Sequence, residues 1–170
     1  MVVRLLLLVF LLAAPRALAE PMRVAIFDFE LIDTSVEGET RGTSMEEKAR
    51  LTKLAPVLRE KLSASDRYVV VDATPVIERA HAQNLQACGG CDATLARDIG
   101  ADVAVTGTVQ KVSNLILNIN IYLRDARDNH MLQSMSADIR GNTDESWSRG
   151  LNYLIRNKLL AEPAAKEAPG

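Results

Sequence analysis

Residues Leu115 to Arg124 read LILNINIYLR, and the parity of that run decides the fold. Leu115, Leu117, Ile119, Ile121 and Leu123 occupy one face, and Ile116, Asn118, Asn120, Tyr122 and Arg124 the other. Strict alternation marks a strand with one dry and one wet face, the arrangement of an antiparallel sheet. Asp125 to His130 then makes a turn, and Met131 to Ile139 returns as a hairpin partner. On the other side, Ala101 to Val112 is a strand with Val103, Val105 and Val109 facing one way.

Further upstream the period changes. Arg23 to Leu31 (RVAIFDFEL) reads as a first strand, and the polar stretch Asp33 to Ser44 as an exposed loop. Ser44 with Glu47 three residues on is a capping-box pattern. Leu51, Leu54, Leu58 and Leu62 form one helical stripe, in which Pro56 is expected to kink or restart the helix. Tyr68 to Asp72 is a continuous apolar run, read as a strand covered on both faces. Pro75 opens a helix to about Leu85, and Asp92 caps a short helix from Ala93 to Ile99. Asn142 with Glu145 predicts the cap of a last helix whose inner stripe is Trp147, Leu151, Leu154 and Ile155. The order β-α-β-α-α-β-β-β-α predicts an α/β (α+β) fold. It is a single three-layer domain, with a mixed sheet, an antiparallel carboxy-terminal hairpin and helices packed on the sheet.

The amino terminus is of another kind. Arg4 precedes an uninterrupted apolar run from Leu5 to Ala14, and Ala17-Leu18-Ala19 is a small-x-small site before Glu20. Residues 1–19 therefore read as a signal peptide cut near Ala19/Glu20, since the run is shorter than the roughly 20 residues of a spanning helix. A retained interfacial anchor is the alternative. Residues 20–160 make the single domain, and 161–170 a disordered tail. Cleavage removes Arg4 and Arg16 and no acid, leaving 18 basic against 22 acidic side chains, a net charge of −4. That balance, with only seven aromatic residues in the whole chain, excludes nucleic acid as a partner. No cysteine follows the apolar run to carry a lipid. The expected product is a soluble periplasmic protein without a transmembrane anchor, and nothing in its sequence sets an oligomeric state.

Two stretches carry a resemblance. The succession VAIFDFEL, helix, YVVVD, helix, DATLARDIGADVAVTGTVQKV is similar to the amino-terminal domain of TolB. It is also similar to the curli secretion lipoprotein CsgG and its penicillin-binding-protein-activating relatives. More specifically, KVSNLILNINIYLRDARD and DIRGNTDESWSRGLNYLIRNKL resemble a family of exported bacterial proteins known as a domain of unknown function. That second resemblance covers nearly all of the mature chain. It implies no enzyme activity, cofactor or catalytic residue. The wider fold implies assembly, scaffolding or regulatory modules that bind partner proteins.

Few residues point to chemistry. Cys88-Gly-Gly-Cys91 reads as a structural disulfide in an exported protein, with a redox-active pair and a metal pair as rivals. A zinc site needs more ligands than His81 and His130 supply at recognised spacings, so no metal is expected. Asn114, Asn118, Asn120, Tyr122 and Arg124 form a polar ladder that is either a solvated sheet face or a hydrogen-bonding surface for a partner or small ligand. No phosphate loop, nucleophile elbow or paired-carboxylate motif is present, so no catalytic residue and no cofactor is assigned. The expected function is a non-enzymatic accessory or scaffolding protein that binds a periplasmic protein or small ligand. The rival is a thiol–disulfide oxidoreductase working through Cys88 and Cys91.

Overall fold

The computed structural model describes residues 20–161. The expected signal segment and residues 162–170 of the expected tail lie outside them. The alternating stretch forms β5 (Ile116–Asp125), paired antiparallel with β4 (Val103–Ser113) and β6 (Met131–Arg140). Register matches like with like: Ile119 lies opposite Val109 and Ala137, and Asn118 opposite Gln110 and Asp138. Leu115 falls in the β4–β5 turn and points to solvent, so it drops out of the dry face expected of it.

The first predicted strand is two strands. β1 (Met22–Ile26) runs parallel to β4, and β2 (Glu30–Asp33) continues along the same edge. Ile26 pairs with Val105 and Glu30 with Thr108, so four steps on one side oppose three on the other. The extra residue throws Phe27 and Phe29 into the cores on opposite faces of the sheet. Gly107 makes room, because a Cβ there would overlap the Phe29 ring. β3 (Tyr68–Val71) flanks β1 on its far side, giving the order β3-β1-β4-β5-β6. It is an edge strand with Val69 exposed, not a strand covered on both faces.

Within the stretch expected to be a loop, Ser35 caps a short helix α1 (Val36–Arg41) that buries none of its residues. α2 (Met45–Ser63) begins at the expected Ser44–Glu47 capping box. It runs on through Pro56 without a restart, because the ring sits on the exposed side of the helix, away from the packed stripe. α5 (Asp144–Leu154), ending in a π-turn over Ile155–Leu159, joins α2 on one face of the sheet. Leu54, Leu58, Leu62, Trp147, Leu151 and Leu154 fill that core against Val105, Ile119 and Ile121. A 3-10 turn (Thr74–Val76) carrying Pro75 leads into α3 (Ile77–His81), shorter than expected. With α4 (Cys91–Asp98) it covers the other face, where Ala80, Ala96 and Ala104 allow close approach. The three layers are thus as expected. No helix among the described residues is long and apolar enough to cross a membrane.

Candidate functional site

The polar ladder of β5 divides when its side chains are followed. Asn118 donates to Asp138 Oδ1 (2.7 Å) and accepts from Ser136 Oγ (2.9 Å), forming a cross-strand chain with exposed neighbours. Tyr122 is half-buried, between Thr106 on β4 and Ser134 on β6. Asn120 is only 8% exposed and donates to Thr108 Oγ1 (3.1 Å), so it belongs to the sheet's own bonding. Arg124 is spent as well: its Nε meets the buried Asp92 (3.1 Å) and its Nη1 the carbonyl of Asn129. Asn114 is not on this face at all. The outer part of the face therefore offers Asn118, Tyr122, Ser134 and Ser136.

Asn114 belongs to a second centre, which the sequence reading missed. Lys111, at the far end of β4, faces inward with its side chain 1% exposed. Its Nζ lies 2.6 Å from Glu47 Oε1, 3.2 Å from Asp33 Oδ2 and 3.4 Å from Glu37 Oε2. Asn114 donates to Glu37 Oε2 (2.6 Å), and Asn142 donates to both Asn114 Oδ1 (3.0 Å) and Glu47 Oε1 (2.7 Å). The bonds close a ring through β4, α1, α2 and the two turns beside them. Burial would raise the Glu47 carboxyl, but Lys111, the Ser44 amide and Asn142 outweigh it and hold the group below its ordinary range. Asp33 behaves alike, with Ser35 and Lys111 outweighing burial. Burial would likewise lower Lys111, yet Glu47 and Asp33 keep it above its ordinary value. Such an ammonium is a locked cation and no nucleophile. The legible signal was parity: Val103, Val105, Val109 and Lys111 share one side of β4, so a lysine stood at a core position.

The last helix is not capped as expected. Thr143 is the cap, with the extended backbone a cap requires, and Ser146 closes the reciprocal capping box. Asn142, one residue too early, instead accepts from Trp147 Nε1 (3.0 Å) and Arg50 Nη1 (3.1 Å). Glu145 is exposed and lies 3.6 Å from Arg149 one turn along.

Cys88 and Cys91 form a disulfide, with Cα atoms 5.7 Å apart. α4 begins at Cys91 and is capped by Gly90, whose positive φ packs its backbone against the Asn129 side chain. Asn129 also donates to the Gly89 carbonyl (3.1 Å). The bridged loop is thereby fastened to the β5–β6 turn. Asp125, Asp128 and His130 converge in that turn, but Arg127 engages both Asp125 oxygens and holds the carboxyl at about 2. A ring this small removes little chain entropy, so Cys88→Ser with Cys91→Ser is expected to cost about 1–2 kcal/mol in urea unfolding. A loss beyond about 4 kcal/mol would mean the bridge holds more than its own loop.

The domain has a fold similar to those of several solved structures. The carboxy-terminal domain of LpoB from Salmonella enterica matches at 11% identity and TM-score 0.50, over 74% of this chain and 87% of that one. LpoB from Escherichia coli matches at 12% identity and TM-score 0.52, over 72% of this chain and 58% of that one. A PelC dodecamer variant from Paraburkholderia phytofirmans matches at 12% identity and TM-score 0.50, over 82% and 89%. At these identities the likeness is one of fold. No curated protein is similar to the chain in sequence. One family model, described as "Protein of unknown function (DUF2380)", matches residues 22–159.

Proposed function

This chain belongs to that family of proteins of unknown function, and we propose for it a non-enzymatic accessory role: an exported, periplasmic module that binds a partner protein through the outer face of its sheet. The observation that carries the reading is the uncovered stretch of β5 and β6. α3 and α4 lie over the β1–β4 side, while Ser134, Ser136 and Asp138 stay exposed around the half-buried Asn118 and Tyr122. Between Arg124 and Arg140, this patch offers one amide, two hydroxyls and one phenol beside a single carboxylate. A tyrosine set among neutral hydrogen-bonding groups suits a binding surface.

Cross-linking tests it. A photo-reactive phenylalanine in place of Tyr122, in cells exporting the protein, is expected to give one discrete adduct. Asn118→Ala with Tyr122→Ala should weaken capture of that partner about tenfold, or about 1.4 kcal/mol, in protein that is still folded at the assay temperature. Asn120→Ala should instead lower the melting temperature, since its amide is bonded inside the sheet. An exported protein that yields no adduct from Tyr122 or Ser134 would remove this face from consideration.

A further inference from the structure

We propose that the opposite end of the domain is a second docking surface, which takes an extended peptide segment of a partner protein carrying both an acidic and a basic side chain. A cleft of about 680 Å³ opens there between α1, the start of α2 and the β4–β5 turn. Among the described residues the three most exposed large apolar side chains are Val36, Met45 and Leu115, at 77%, 75% and 73%. Leu115 lines this cleft, and Val36 and Met45, without lining it, are chain neighbours of the lining residues Glu37, Ser44 and Glu46. Val112 and Ile116, next in exposure, sit in the same hairpin. Exposed apolar side chains scatter singly on most surfaces, and their gathering at one rim marks an interaction site.

The charges say what kind of partner fits. The floor of the cleft is electrostatically closed, because Lys111, Glu47, Asn114 and Asn142 satisfy one another. At the rim, Arg41 and Glu46 have no ion-pair or hydrogen-bond partner among the described residues. An unpaired guanidinium and an unpaired carboxylate on one cleft complement a segment that presents both signs. An anionic lipid surface would meet Glu37 and Glu46 as repulsion.

The test pans a phage-displayed library of random dodecapeptides against the purified exported protein. Selected peptides are expected to pair an acidic and a basic residue beside an apolar one. Arg41→Glu and Leu115→Asp should each weaken their binding at least about tenfold. Reversing the peptide's acidic residue should restore affinity for Arg41→Glu, whereas Asn118→Ala should leave binding unchanged. Both side chains are exposed, so melting temperatures should hold; if either falls, Val36→Ser and Met45→Ser take their place. Three results would overturn the proposal: no enrichment, peptides that bind Leu115→Asp equally well, or a concentration-dependent dimer that Leu115→Asp abolishes. Because the cross-linking result at Tyr122 is read independently, failure here leaves the sheet-face reading standing, and the reverse also holds.

Discussion

Lys111→Met is expected to lower the unfolding free energy by about 3–5 kcal/mol near neutral pH, because it removes one partner from a buried ion cluster. Methionine fills the space of the lysine stem. The loss therefore comes from Asp33 and Glu47, which would face each other in a dry site without their cation. The pH dependence separates this cause from simple repacking. In the native protein both carboxyls titrate below their ordinary 3.8 and 4.5, so their stabilisation is full above those values and drains as pH falls through the native ones. Lys111 titrates above its ordinary 10.5, so its share is full below that pH and is lost as pH rises past it. Without the cation, the two carboxyls rise toward and past their ordinary values, and protonation relieves them. The deficit of Lys111→Met should accordingly narrow as pH falls from 7 to 4 in urea-unfolding measurements. A deficit that stays constant would mean that the lost contacts are apolar.

Trp147→Ala is expected to cost about 3–5 kcal/mol as well, by a different route. Trp147 is the largest fully buried side chain among the described residues, set in the core that α2 and α5 share with the sheet. Truncation opens a cavity and also removes one of the two donors to Asn142 Oδ1, leaving Arg50 Nη1 as the other. Trp147→Phe separates the two effects. It keeps most of the apolar volume and should lose only about 1 kcal/mol for the hydrogen bond, plus a smaller packing term. Equal losses in the two variants would place the effect in the hydrogen bond alone.

The layers of this fold were legible because hydrophobic period is a local property. The alternation over Leu117–Leu123, the stripe Leu54–Leu58–Leu62 and the stripe Trp147–Leu151–Leu154 each face the core that their spacing predicts. What was not legible depends on pairing across long separations. The break between β1 and β2 follows from their register on β4, which no window around Phe27 contains. Likewise, α1 forms where Ser35 can cap it and Asp33 lies beneath Gly38, although its composition is that of a loop.

The candidate site was legible in part. Asn118 and Tyr122 stand on the sheet face as their parity requires, but Asn120 and Arg124 are claimed by Thr108 and Asp92. Asn114 and Asn142, singled out for separate reasons, meet in a ring neither reason anticipated. The cap moved by one residue because backbone geometry, which composition does not carry, favours Thr143 over Asn142.

The strand order also bears on when the chain can fold. β1 lies between β3 and β4, yet Met22 finds Tyr68 46 residues later and Val24 finds Val103 79 residues later. By contrast β4, β5 and β6 are joined by short turns and need only one another. A chain emerging amino end first holds β1 without a neighbour on the β4 side until most of the domain has followed, since distant pairings form late. If the chain is exported unfolded, as proposed above, topology alone supplies the delay: the sheet cannot close around its first strand while the last three are still to come.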